Sequence, residues 1–364
     1  MFVPSTRRNP AYWLSCPTVA VIASLSAVTF FIALLGAVFL PREARQLADP
    51  QYVSVTHSVV TPSGRPCVSL FWSISESGRL GWRHHLALHD LSGARRLVFP
   101  WDGLNPLSLA PGPDADHVLV GNWNGAIFLL NLREPTAEPT CVGRQDGGGV
   151  VSLAYSSAGK CVLSQDAFHV YAWDLASGRE RWRRKHSANH CLAIRPDAPV
   201  AILGDMDGRL FDVDLFDGRD LQLLARFQSP VLSAALSPDG TRLALMRGDD
   251  RLFLLDSRTL RPLWHDGRQL SIKNTASRLV VFSPCGRYLV TSGREGGRAV
   301  LLWSVQTGDC LRDFRGHENV VLGAGFTADG TLRSWGADGT IRVWDLYTGG
   351  TRQVAALSVP AQSS

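Results

Sequence analysis

Methionine is scarce, with 3 in 364 residues, and lysine occurs only at Lys160, Lys185 and Lys273. The positive charge is therefore carried almost wholly by arginine. The net charge of +5 is not gathered into a stripe, so nucleic acid is not an expected partner. No Cys-x-x-Cys pair occurs. Cys16 sits in an apolar segment and the other six cysteines, from Cys67 to Cys310, are widely scattered, which argues against zinc and thioredoxin-type sites. Gly-x-Ser-x-Gly and His-Glu-x-x-His are absent. Gly147-Gly148-Gly149 lacks the Lys and Ser/Thr of a phosphate loop and reads as a linker. From Tyr52 onward no stretch looks like a long amphipathic helix.

The sequence does contain one uncharged apolar run, from Val19 to Leu40. About twenty residues at ~1.5 Å each cross a hydrocarbon core of ~30 Å. Residues 19–40 are therefore read as a transmembrane helix. Residues 1–18 form its flank, with Tyr12-Trp13 as an interfacial pair, and residues 41–51 a polar linker. The run is long for a signal-peptide core, and only Leu35-Gly36-Ala37 offers a weak cleavage site, so an uncleaved single-span anchor is expected. Arg7 and Arg8 balance Arg42 and Arg45; the terminal amine tips the expectation to N-terminus inside and large domain outside.

Glycine (34) and tryptophan (11) are abundant, as suits turn-dense, all-β repeat folds. Across residues 52–358 one pattern recurs: strand, turn, strand, turn, a third strand ending near an Asp, and a polar fourth strand. The first turn reads Thr61-Pro62-Ser63-Gly64, then Ala110-Pro111-Gly112-Pro113 and Ser156-Ser157-Ala158-Gly159. It returns as Arg195-Pro196-Asp197-Ala198, Ser237-Pro238-Asp239-Gly240, Ser283-Pro284-Cys285-Gly286 and Thr327-Ala328-Asp329-Gly330. Proline presets the second turn residue and glycine accepts the positive φ that follows. The third strand closes at His89-Asp90, Leu130-Asn131, Trp173-Asp174, Val213-Asp214, Leu255-Asp256, Trp303-Ser304 and Trp344-Asp345. Successive endings lie 40 to 48 residues apart, the period of four-stranded propeller blades. The longest gap falls in the sixth unit, with its extra residues 269–277 and 294–298. Residues 359–364 form a tail.

The clearest unit is Gly316–Leu346, with Gly316-His317 at its start, Asp-Gly turns at 329–330 and 338–339, and Trp344-Asp345 at its end. It resembles a WD repeat. The resemblance covers about five-sixths of the chain by period and implies an all-β, seven-bladed WD-type β-propeller preceded by one N-terminal transmembrane helix. It also implies a buried structural relay in which Asp338 accepts from His317, His317 bonds Ser334, and Ser334 bonds the indole N–H of Trp344. The other six units lack the Gly-His. Rings of this kind often close by strand exchange, yet here every unit already has four strands, which leaves the closure open. Ala172 to Trp182 and Leu255 to Trp264 also look like the blade endings of quinoprotein-type propellers, where a tryptophan docks neighbouring blades.

Few residues suggest chemistry. His84 and His85 point to opposite faces of a strand, and His85 and His89 lie about 13 Å apart, too far to share a metal. The acidic series Asp205, Asp207, Asp212, Asp214, Asp217 and Asp220 lacks the ordered spacing of an EF-hand. Gly323 to Ala328 matches a relaxed dinucleotide fingerprint but leads into a strand rather than a helix. The densest basic run, Arg179, Arg181, Arg183, Arg184 and Lys185, falls on an outermost strand. It is read either as edge protection or as a docking patch for an acidic partner or anionic lipid. No cofactor or metal is implied. The expectation is a membrane-anchored, non-catalytic WD-repeat scaffold with an unidentified protein partner. The alternatives are a quinoprotein-like or ligand-binding propeller with a site at its central channel, and a stabilising subunit of a membrane complex.

Overall fold

The computed structural model describes residues 106–356, apart from 115, 135–136, 186–191, 250, 266–278, 294–296 and 328, and the backbone of four earlier strands within 54–98. The expected transmembrane helix, its flank, its linker, the side chains of His84, His85 and His89, and the tail lie outside the described residues. Among the described residues no helix is long and apolar enough to cross a membrane.

The strands form seven four-stranded antiparallel sheets, each built from four consecutive strands. Sheet 1 holds β1 (Ser54–Val60), β2 (Cys67–Ile74), β3 (Trp82–His89) and β4 (Arg95–Val98). Sheet 2 holds β5 (Pro106–Pro111), β6 (His117–Asn122), β7 (Ala126–Asn131) and β8 (Thr140–Arg144). Sheet 3 holds β9 (Ser152–Ser156), β10 (Cys161–Gln165), β11 (His169–Asp174) and β12 (Glu180–Lys185). Sheet 4 holds β13 (Leu192–Ile194), β14 (Val200–Gly204), β15 (Arg209–Asp214) and β16 (Asp220–Arg226). Sheet 5 holds β17 (Val231–Leu236), β18 (Arg242–Arg247), β19 (Leu252–Asp256) and β20 (Pro262–His265). Sheet 6 holds β21 (Val280–Phe282), β22 (Tyr288–Gly293), β23 (Ala299–Ser304) and β24 (Cys310–Phe314). Sheet 7 holds β25 (Val321–Phe326), β26 (Leu332–Gly336), β27 (Thr340–Trp344) and β28 (Thr351–Ala356). Sheets 2 to 7 have described side chains; sheet 1 is known by its strand pairing.

First strands pack on one another in chain order, from β1 through β5, β9, β13, β17 and β21 to β25, and β25 packs back against β1. This circuit is an all-β propeller. Among the described residues it closes by packing, with no strand exchanged between the first and last sheets. Strand direction alternates within each sheet. The starts of the first strands and the second-to-third turns therefore share one face, here the upper. The first-to-second and third-to-fourth turns share the lower.

The core is sliced by the sheets. In β10, Val162 packs towards sheet 2, while Cys161 and Leu163 pack towards sheet 4. Period-two alternation thus feeds two interfaces from one strand. Three further clusters of the same kind fill the interfaces from sheets 4 and 5 round to sheets 6 and 7.

The third-strand endings share a local cause. The side chains of Asn131, Asp174, Asp214, Asp256, Ser304 and Asp345 each accept from backbone N–H groups two or three residues on. Each therefore starts the lower-face turn that follows.

Candidate functional site

In sheet 7 a polar chain runs from turn to strand. His317 Nδ1 lies 2.8 Å from Asp338 Oδ2, and His317 Nε2 lies 2.7 Å from Ser334 Oγ. The Trp344 indole N–H donates to the same Oγ at 2.8 Å. Asp338 also accepts from the N–H groups of Glu318 and Thr340 and from the Thr340 hydroxyl. Burial alone would raise its carboxyl, but the bond to and charge of His317, with the Thr340 donors, hold it below the ordinary value. An Asp–His–Ser array is the arrangement of a hydrolase triad. Here His317 and Ser334 are buried and the serine already accepts from Trp344, so no substrate reaches the hydroxyl.

The same diagonal appears twice more. Trp173 Nε1 donates to Ser164 Oγ at 2.8 Å, and Trp303 Nε1 to Thr291 Oγ1 at 2.9 Å. In all three sheets the tryptophan lies two residues beyond the partner of the hydroxyl residue on the third strand. In sheet 3 the histidine's place is taken by Gln145, whose Oε1 accepts from Ser164 at 2.8 Å and whose Nε2 donates to the carbonyls of Gly148 and Gly149. The residue pattern concealed this second relay because glutamine does not resemble the Gly-His start. The detectable signal is a Ser or Thr nine to twelve residues before a third-strand tryptophan.

Two other tryptophans join sheets. Trp182 on β12 donates to the Leu215 carbonyl of sheet 4 at 3.1 Å, and Trp264 on β20 donates to Val305 of sheet 6 at 2.9 Å. Each indole lies on a glycine, Gly218 or Gly308, both with positive φ (73° and 78°).

The basic strand β12 is largely neutralised. Arg181 pairs with Asp174 at 2.6 Å, Arg183 with Asp146 at 3.1 Å, and Arg184 with Asp220 at 2.6 Å. Arg181 also donates to the Gly159 carbonyl and lies over the Phe216 ring. Among the described residues, the side chains of Arg179 and Lys185 make no ion pair. The acidic series is occupied too: Asp205 caps the turn to Arg209, Asp212 takes Arg195 in a two-toothed pair, and Asp217 takes Arg219. No group of described His, Cys, Asp and Glu could hold a metal ion.

On the lower face a cleft of about 720 Å³ lies between sheets 6 and 7, lined by Cys285, Arg287, Tyr288, Asp329, Asp345 and Tyr347 among others. Burial raises the Cys285 thiol, but hydrogen bonds from Ser283 and Arg287 and the Arg287 charge outweigh it and bring the pKa down to about 7.

On the upper face, Gly147 to Gly149 run between two turns. A Cβ at Gly147 would overlap the Asp166 carboxylate, and one at Gly149 would crowd the backbone of Trp123. Tyr171 donates to Asp166 at 2.9 Å; burial and this bond push its phenol up to about 12.

The fold is a β-propeller, and the relay of sheet 7 is that of a WD repeat. Residues 308–345 match the family model of the WD domain, G-beta repeat. The match takes in β24 of sheet 6 and β25 to β27 of sheet 7, so sequence repeat and sheet are offset by one strand. Protein groucho of Drosophila melanogaster is 24% identical over 283 residues, covering 75% of this chain and 36% of the relative. Autophagy-related protein 16 of Arabidopsis thaliana is 24% identical over 57% of this chain and 40% of the relative. U3 small nucleolar RNA-associated protein 15 of Schizosaccharomyces pombe is 33% identical over 36% of this chain and 29% of the relative. The chain thus spans well under half the length of these relatives.

Proposed function

We propose that the chain is a single-span, membrane-anchored, seven-bladed propeller of the WD-repeat type, N-terminus inside and propeller outside, acting as a non-catalytic scaffold for protein partners. The observation that carries the scaffold reading is the burial of its most reactive array. Asp338, His317 and Ser334 hold one sheet together, and His317 and Ser334 are buried. What a partner meets is the rim and two faces of turns, which can vary without disturbing the core. The seven sheets and the closed circuit of first strands support the blade count. The anchor rests on the uncharged run Val19–Leu40.

A pull-down of the full chain in mild detergent tests the scaffold role. A reproducible stoichiometric partner is expected. A purified monomer that binds or turns over a small molecule would instead favour a quinoprotein-like or ligand-binding propeller, the reading to which the docking tryptophans Trp182 and Trp264 lend support. A chain that stays soluble after cell breakage, with its N-terminus intact, sinks the anchor. Of the basic run from Arg179 to Lys185, Arg179 and Lys185 are the cations left for an acidic partner or anionic lipid. Reversing both charges without effect on partner or lipid binding removes that role.

A further inference from the structure

We infer that one sector of the upper face, formed by Trp123, Phe168 and the glycine loop between them, rests on an anionic membrane surface. The inference rests on the anchor proposed above. Trp123 and Phe168 are each 50% exposed. Neither turn is loose. Buried Asn122 accepts from the Ala126 N–H and, through its carbonyl, from Val150; buried Asp166 accepts from the N–H groups of Phe168 and His169 at 2.6 Å. Polar groups inside hold the two rings outside. The loop Gly147 to Gly149 lies between these turns, and a side chain at Gly148 would meet nothing within 4 Å. The surface is therefore bare backbone flanked by two aromatic rings.

Three further facts select a membrane as the occupant. First, β1 begins on this same face, next to β5 of sheet 2. The apolar run ends at Leu40, and the thirteen residues 41–53 reach at most roughly 45 Å. The tether therefore joins the propeller on this face. Second, tryptophan and phenylalanine suit the boundary of headgroup and acyl chain. Third, the charge beside the rings is complementary to anionic headgroups. Arg144 and Lys185 stand at the upper ends of β8 and β12, paired across from Ala126 and His169, and both are exposed. Asp146, the exposed carboxylate of this sector, is paired with Arg183. The lower-face aromatics have other surroundings: Arg181 lies over Phe216, and Tyr347 borders the cleft.

Hydrogen exchange of the full chain tests this, comparing detergent micelles with vesicles of phosphatidylcholine containing phosphatidylserine. Peptides covering 122–125, 146–149 and 166–169 should gain protection in the vesicles, while lower-face turns at 216–219 and 347–350 should not. Replacing both rings, Trp123→Ser with Phe168→Ser, should abolish that protection while the chain still floats with the vesicles and melts as the wild type does. A wild-type chain that does not float overturns both the anchor and this inference. One that floats without protection at the three upper segments, or with protection on the lower face instead, overturns this inference alone. Protection that appears only when a co-purifying protein is present also overturns it and assigns the sector to a protein partner.

Discussion

Trp182 and Gly218 belong to neighbouring sheets, and a Cβ at 218 would stand 2.5 Å from the indole Cδ2. The ring fits because the turn it rests on has no side chain there. Its N–H then reaches the Leu215 carbonyl. Trp264 and Gly308 repeat the arrangement between sheets 5 and 6.

Gly218→Ala should therefore destabilise the propeller by about 2–4 kcal/mol, summing backbone strain at positive φ and overpacking against the indole. Urea unfolding in mild detergent reads this. Trp182→Phe keeps most of the packing and loses one hydrogen bond, so its cost should be the smaller. Equal costs would contradict the close contact as the source.

Ser334→Ala leaves the buried Trp344 N–H and His317 Nε2 without their shared partner. The cost should be roughly 2–6 kcal/mol, from about 1–3 for each of the two stranded groups. Ser334→Thr keeps the hydroxyl, as Thr291 does beneath Trp303, and should cost less. If the alanine and threonine variants unfold at the same urea concentration, the hydroxyl is not what matters at this position.

The Asp338 carboxyl sits below its ordinary value of 3.8 in the folded chain. A depressed folded value means the stabilisation is full above about pH 4 and is lost as pH falls through the folded value. The cost of Asp338→Asn should accordingly be large at pH 7 and shrink towards pH 3. A cost independent of pH over that range would show that the charge on Asp338 plays no part.

With its pKa brought down to about 7, the Cys285 thiol is roughly half ionised at neutral pH. Burial pushes the Cys161 thiol up to about 11. Iodoacetamide at pH 7 should alkylate Cys285 well before Cys161, as peptide mapping would read. Arg287→Ala should slow the reaction at Cys285 by raising its pKa. An unchanged rate would mean that Arg287 does not set the ionisation.

Much of the fold is legible in local chemistry. The quoted endings from Leu130 to Trp344 close or abut third strands because an Asp, Asn or Ser there caps its own turn within three residues. The relay of sheet 7 is readable because all four of its residue types are present at the expected spacing. That of sheet 3 is not, because any side chain with a donor and an acceptor can fill the histidine's place, and Gln145 does. The basic run of β12 shows the limit most plainly. Read along the chain it is a cluster of like charge. Two of its arginines meet carboxylates 36 and 37 residues away, Asp220 on sheet 4 and Asp146 in the loop between β8 and β9.

The sequence by itself determined the repeat period, the turns, the all-β class and the polar relay of its last unit, since each depends on residues within one unit. Only the tertiary structure decided which tryptophans hold a strand pair and which join sheets, which arginines are neutralised, and how the ring closes. Those outcomes depend on side chains from units that meet only when the circuit is complete. In a propeller, each sheet's second face is supplied by its neighbour.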